Sequence, residues 1–215
     1  YIYVNFLSTL KMYENLFKNP LHRIFVYGTL KRGEPNHKLI QDTANGYAKF
    51  LGIARTTSSY PLIIATKYNI PFLLKKPGIG HHVIGEIYDV DSKMLTRLDE
   101  LEEHPNFYER MEEDVLMATE SKFKSNNNFE EIGSLTKAWI YFLPKFKASL
   151  LEGPMYESYS NEGDHGLKYG EKGSMNDIYI YIYIHIYIDN LQQLMRTYFD
   201  NVQGHARINT NVTIV

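Results

Sequence analysis

Cysteine is missing from all 215 residues. Its absence removes disulfides, thiolate nucleophiles and cysteine-ligated zinc together, and it suits a reducing compartment. Long hydrophobic runs are missing too: none approaches the roughly 20 residues needed to span a bilayer. The first ten residues have neither the basic n-region nor the cleavage site of a signal peptide. We therefore expect a soluble, cytosolic protein, away from membranes. Charge of one sign is also lacking, since 23 basic and 25 acidic residues leave a formal charge of -2. That balance gives no reason to expect nucleic acid as a partner.

Familiar catalytic signatures are sparse. The eight histidines are scattered without H-x-x-x-H spacing, and the His81-His82 pair would leave opposite faces of a strand. No metal site is expected from them. No G-x-S-x-G elbow occurs. Gly78, Gly80 and Gly85 do not make G-x-G-x-x-G, and they precede a strand instead of opening a helix, so a dinucleotide site is not expected.

Both ends look foreign to the middle. The chain opens on Tyr1, its first methionine is Met12, and we read residues 1–22 as a leader outside the domain. Residues 178–188 spell I-Y-I-Y-I-Y-I-H-I-Y-I. ATA encodes Ile, TAT Tyr and CAT His, so an alternating TA tract with one base change would give this run. We read it as a microsatellite taken for coding sequence, within an irregular tail over residues 174–215; an edge strand is the structural alternative. Translated, the uncharged run is an aggregation hazard.

Residues 23–173 read as one domain. Short strand patterns cover 24–27, 47–54, 62–65, 72–75, 82–90, 109–117 and 137–143, punctuated by Tyr60-Pro61, Asn69, Pro71 and the turn Pro77-Gly78-Ile79-Gly80. Residues 120–134 form a polar loop. Helical patterns cover only 35–42 and, better, 92–103. Many short strands, few helices and no repeated βαβ unit predict a compact α+β fold, a mixed β-barrel with a few flanking helices.

Two features carry chemistry. In the first, an apolar run (Ile24, Phe25, Val26, Tyr27) breaks at Gly28 into a polar segment ending Gly33-Glu34-Pro35. A glycine there admits close approach of backbone. The amides of Gly28, Thr29 and Leu30 can point into a pocket as donors for a carboxylate or oxyanion. The same pattern also fits a plain turn. The second feature is in the helix after Asp91, a good N-cap residue. Met94, Leu95, Leu98 and Leu101 make its apolar stripe, and Glu102, four after Leu98, falls inside it. A carboxylate held on an apolar face is desolvated, which raises its pKa and makes it a better base near neutrality. A helix-end glutamate that reaches solvent or pairs with an arginine fits equally well. Glu100 and Glu103 point away from the stripe as ordinary solvated charges.

The order of short motifs resembles the γ-glutamylcyclotransferase-like superfamily, more closely its γ-glutamylamine cyclotransferase branch. Val26-Tyr27-Gly28-Thr29-Leu30-Lys31-Arg32-Gly33 opens the series, followed by Asn36-His37, Tyr60-Pro61-Leu62 and Asn69-Ile70-Pro71-Phe72-Leu73-Leu74. Then come Pro77-Gly78-Ile79-Gly80, Gly85-Glu86-Ile87-Tyr88-Asp89-Val90-Asp91, Leu98-Asp99-Glu100-Leu101-Glu102, Pro105, Tyr108, Arg110 and the stretch from Ser158 to Tyr169. The resemblance implies a barrel with one buried acid/base glutamate, which falls on Glu102. It implies a substrate-binding loop at Tyr27, Gly28, Thr29 and Leu30. The reaction it implies converts an L-γ-glutamyl amine, such as ε-(γ-glutamyl)lysine, into 5-oxoproline and the free amine, with no metal or organic cofactor. Tyr108 would line the pocket, or belong to the core. We expect a monomer acting on a small γ-glutamyl substrate. A cyclotransferase for γ-glutamyl amino acids or peptides, and a non-catalytic binding module for a small acid, are the alternatives.

Overall fold

The computed structural model describes residues 20–118, 133–170 and 195–198. The chain divides into two compact units, Tyr1–Lys172 and Gly173–Val215. In the second unit only residues 195–198 are described, and they form a helical turn. The repetitive run at 178–188 and most of the polar loop at 120–134 lie outside the described residues.

Seven strands build the first unit: β1 (His22–Val26), β2 (Ala48–Thr56), β3 (Leu62–Ala65), β4 (Ile70–Leu73), β5 (Ile84–Val90), β6 (Glu109–Met117) and β7 (Leu135–Phe142). Five of them close a barrel in the order β1-β5-β2-β6-β7, while β3 and β4 form a separate two-stranded sheet. The barrel is mixed. Strand β1 pairs antiparallel with β5, opposing Val26 to Glu86, and parallel with β7 at Ile24 and Trp139. The fold is therefore the α+β mixed barrel that the sequence predicts.

Alternation explains how the strands face. On β7, Ala138, Ile140 and Phe142 enter the core with Phe25, Ala54, Ile87 and Val115. The intervening Tyr141 leaves on the other face, where it meets a helix (below). On β6, Val115 is fully buried and Met111 and Met117 pack against the same core, as their period of two requires. At Gly85, β5 has no room for a side chain against β1. A Cβ placed there would lie 2.5 Å from the Val26 carbonyl oxygen and 2.6 Å from the Phe25 ring.

The helices are shorter than their patterns. In place of a helix over 35–42 there is one turn, α1 (Lys38–Gln41), and a 3-10 turn at Thr43–Asn45 capped by Asp42. No side chain caps the start of α1, and residues 34–37 are spent on turn hydrogen bonds. Helix α2 (Ser92–Leu101) starts where expected, with Asp91 accepting the Met94 N–H at 2.8 Å. It stops two residues early, because Glu103 takes a left-handed φ of 48°.

Gly85→Ala should destabilise the protein by about 1–3 kcal/mol through overpacking against β1. A urea melt checks this, and an unchanged midpoint would mean that β5 has room to move away.

Candidate active site

The end of α2 carries the site. Met94, Leu95 and Leu98 bury the apolar stripe. Glu102 is the C-cap rather than the last turn, but its φ of -87° and ψ of 1° keep its side chain close to the helical phase. It therefore follows the stripe inward, as its spacing from Leu98 predicts. Its N–H donates to the Leu98 carbonyl at 2.9 Å, and its carbonyl accepts the Tyr108 N–H at 3.2 Å. Glu102 is only half-buried as a residue, yet loss of water pushes its carboxyl pKa up to about 8. The carboxyl thus lies deep among protein atoms while the residue keeps some contact with solvent.

A neighbouring acid takes the available cation. Asp99 accepts the Tyr141 hydroxyl at 2.6 Å through Oδ1 and pairs with Arg110 Nη1 at 3.2 Å through Oδ2. That pair holds by charge and proximity rather than by a well-aligned hydrogen bond, since Arg110 Nε and Nη1 are buried without an acceptor among the described residues. The guanidinium also stands 5.0 Å from the Trp139 ring centre, where cation–π attraction adds to its hold. With Arg110 committed to Asp99, burial of Glu102 goes uncompensated.

Two tyrosines face this region. Tyr27 is buried, and its hydroxyl donates to the Tyr141 carbonyl at 2.9 Å. Burial, and then the charge of Glu102, hold its pKa well above the usual tyrosine value. Tyr141 is likewise raised, by burial first and then by Asp99. Both hydroxyls stay protonated and remain donors across the physiological range.

The turn after β1 is oriented by its carbonyls. Gly28 O accepts from Lys31 N at 3.1 Å, Thr29 O from Asn36 N at 2.9 Å, and Lys31 O from Glu34 N at 3.0 Å. Leu30 O lies 2.9 Å from His37 Nδ1, a bond that sets the proton of that imidazole on Nδ1. Asn36 Nδ2 donates to Thr29 Oγ1 at 3.0 Å and also to the Tyr169 hydroxyl at 3.3 Å. Among the described residues, no backbone acceptor takes the N–H of Gly28, Thr29 or Leu30. Three successive amides are thus left as donors, the arrangement that makes an anion-binding nest. Glycine is required at 28 by protein as well: a Cβ there would come within 2.9 Å of the Pro71 ring. The next residue of β4, Phe72, stacks on Tyr108 at 6.1 Å and 16°. Tyr108 is buried, so it belongs to the core, and its N–H ties it to the Glu102 backbone.

Sequence reasoning gave no role to Glu86. It is 5% exposed and accepts three hydrogen bonds. They come from Arg32 N–H at 2.9 Å, Arg32 Nε at 3.1 Å and the Tyr88 hydroxyl at 2.7 Å. The signal was present, since Glu86 shares a strand face with Tyr88 and Val90, both buried. Lys31 also turns inward, donating to Ser158 Oγ and to the Tyr159 carbonyl; burial lowers its pKa. Tyr169 joins the turn through Asn36. His165 does not, for it is half-buried against Tyr156 and Tyr159 and bonds locally to Ser160 and Leu167.

Among the described residues no group of three His, Cys, Asp or Glu could hold a metal ion, and no helix is long and apolar enough to cross a membrane. The described residues of this region hold one water-deprived carboxyl, protonated tyrosines and a run of amide donors. The chain belongs to the gamma-glutamyl cyclotransferase, AIG2-like family, whose model matches residues 24–162. It is 45% identical over 148 residues to gamma-glutamylaminecyclotransferase C of Danio rerio, covering 69% of this chain and 92% of that protein. It is 42% identical over 149 residues to gamma-glutamylaminecyclotransferase of Mus musculus, covering 69% and 96%. A putative gamma-glutamylcyclotransferase of Drosophila melanogaster is 41% identical over 150 residues, covering 70% and 86%. The crystal structure of an AIG2-like protein from Mus musculus superposes with a TM-score of 0.64 at 42% identity, covering 72% of this chain and 98% of that one.

The raised Glu102 pKa is also a stability statement. Below about pH 4.5 the carboxyl is protonated in both folded and unfolded chains, so burial costs nothing extra. Between about 4.5 and 8 only the unfolded chain ionises, and stability falls. Glu102→Gln removes this loss. The variant should match the parent at pH 4 and exceed it by on the order of 2–4 kcal/mol at pH 8. Urea melts at both pH values measure the difference; a constant gap would mean that the carboxyl is well solvated.

Proposed function

We propose that this protein is a γ-glutamylamine cyclotransferase, releasing 5-oxoproline and a free amine from L-γ-glutamyl amines such as ε-(γ-glutamyl)lysine. The observation that carries the reading is the water-deprived carboxyl of Glu102, whose charge reaches Tyr27 at the head of a run of unused amide donors. Family membership and the names of the zebrafish and mouse relatives support it. The reaction would degrade isopeptides as an amine-releasing cyclisation, carried out by a cytosolic monomer.

In this reading the nucleophile belongs to the substrate. The glutamyl α-amine attacks the side-chain amide carbon, forming the ring C–N bond, and the bond to the departing amine then breaks. The α-ammonium gives up two protons in becoming the lactam N–H, and the departing nitrogen takes up two to leave as an ammonium. Glu102 shuttles them, a role typically worth 10²–10⁴-fold. A carboxyl with a pKa of about 8 suits both directions, since it accepts from an ammonium and returns to an amine at small cost. The amides of Gly28, Thr29 and Leu30 bind the α-carboxylate or the developing oxyanion. Tyr27 and Tyr108 pack against the folded glutamyl chain, and holding it ready for ring closure lowers the barrier further.

The test is 5-oxoproline release by the full chain, with ε-(γ-glutamyl)lysine and γ-glutamylalanine offered separately. Release from the isopeptide supports the amine branch. Release only from γ-glutamylalanine moves the substrate to γ-glutamyl amino acids. Silence on both, from folded protein, leaves a small-acid-binding module. Glu102→Gln should lower kcat by about 10²–10⁴-fold. Glu100→Gln should stay within about twofold, because Glu100 is exposed and pairs only with Arg97. Full activity in Glu102→Gln would sink the mechanism.

The pH dependence offers a separate check. Turnover needs Glu102 ionised, so kcat/KM should rise with pH through about 8 in the free enzyme. A bound substrate ammonium favours the carboxylate, so the limb in kcat should lie at lower pH. A kcat/KM profile flat from pH 6 to 9 would assign the proton transfer to another group.

A further inference from the structure

We propose that Glu86 is a positioning residue for this reaction, setting the amides of Gly28, Thr29 and Leu30 by holding Arg32. The proposal rests on the reading that those amides meet the substrate. Glu86 itself touches neither Glu102 nor any of the three amides.

The geometry gives Glu86 a lever on the turn. The antiparallel register sets Val26, the last residue of β1, opposite Glu86 on β5, so the turn emerges directly beside this side chain. One carboxylate oxygen takes the backbone N–H of Arg32 and the other takes its guanidinium Nε. A single group therefore holds main chain and side chain of the same residue, two positions after Leu30. Tyr88 supplies a further donor to Oε2, which fixes the rotation of the carboxylate. The guanidinium is pressed onto Phe50, 3.4 Å above the ring centre, and Phe50 meets Tyr88 edge-on at 5.5 Å. The far end of the clamp is closed by packing.

A charge of this kind is costly to bury and is not needed to hold two strands together. Its partners explain its presence. Backbone N–H, guanidinium and phenol are all donors, so an acceptor-only group with two oxygens satisfies them, and a glutamine cannot accept from all three. Loss of the charge frees Arg32 and lets the amide run rotate, and small misplacements of binding groups are expensive in rate.

The experiment compares Glu86→Gln, Arg32→Ala and the double variant with the parent, in the full chain, by steady-state kinetics and by calorimetric titration with 5-oxoproline. Glu86→Gln should lower kcat/KM by on the order of tenfold and weaken 5-oxoproline binding, leaving the pH limb of Glu102 in place. Arg32→Ala should act in the same direction, and the double variant should be no worse than Glu86→Gln, because both act through one contact. A folded Glu86→Gln with kcat/KM within twofold of the parent overturns the proposal. So does a shifted pH limb, which would make Glu86 an electrostatic partner of Glu102, or full additivity in the double variant. If Glu86→Gln does not fold, the half-exposed Arg32 still decides, since unchanged kinetics in Arg32→Ala is fatal. Absence of 5-oxoproline release by the parent refutes the cyclotransferase reading instead, and product binding then tests the positioning alone.

Discussion

Keeping water and cations away from one carboxyl is the constraint around which this domain is arranged. An acid on a helix end ordinarily reaches solvent or pairs with a base. At Glu102 the helix stops one residue before it, the backbone turns left-handed one residue after it, and the side chain is left pointing where the leucines point. The nearby arginine is diverted to Asp99, which is itself tied to Tyr141. Tyr141 in turn accepts the Tyr27 hydroxyl through its carbonyl. One chain of contacts thus runs from the helix, through β7, to the turn after β1. Asp99 and Arg110 neutralise each other along it, and the Glu102 carboxyl is left without a cation.

The turn is built by the complementary device. Four successive carbonyls, from Gly28 to Lys31, each have a donor, and in two of these peptide units the N–H, that of Thr29 or Leu30, is left without a backbone acceptor among the described residues. Orientation is achieved by satisfying the other side. This needs no side-chain oxyanion donor and no cation. Lys31 lies next in sequence, yet it is drawn off to Ser158 and Tyr159.

Much of this was legible in the chain itself. Short apolar or alternating runs bounded by turn residues located all seven strands to within about two residues, because strands buried on one face or both carry such runs. The stripe Met94, Leu95, Leu98 singled out Glu102 before any coordinates. Two things resisted. The helical pattern over 35–42 yields only one turn, since apolar spacing carries no sign that residues 34–37 are committed to turn hydrogen bonds. Asp99 and Glu86 were passed over because their roles are set by residues 11 and 54 positions away, Arg110 and Arg32. Periodicity along one strand or helix carries no information about such partners, although the shared face of Glu86, Tyr88 and Val90 hinted at one of them.

The parallel contact of Ile24 with Trp139 has a consequence for how the domain comes into being. Strand β1 leads the described chain, and β7 is the last strand in it, so the barrel closes by joining its two ends. Ring closure of this kind lies late on a folding route, after the entropy of a loop of more than a hundred residues has been overcome. On the ribosome, β1 is made first and its β7 partner last. Through most of synthesis its apolar edge has β5 on one side and nothing on the other, an exposure of the kind that chaperones recognise.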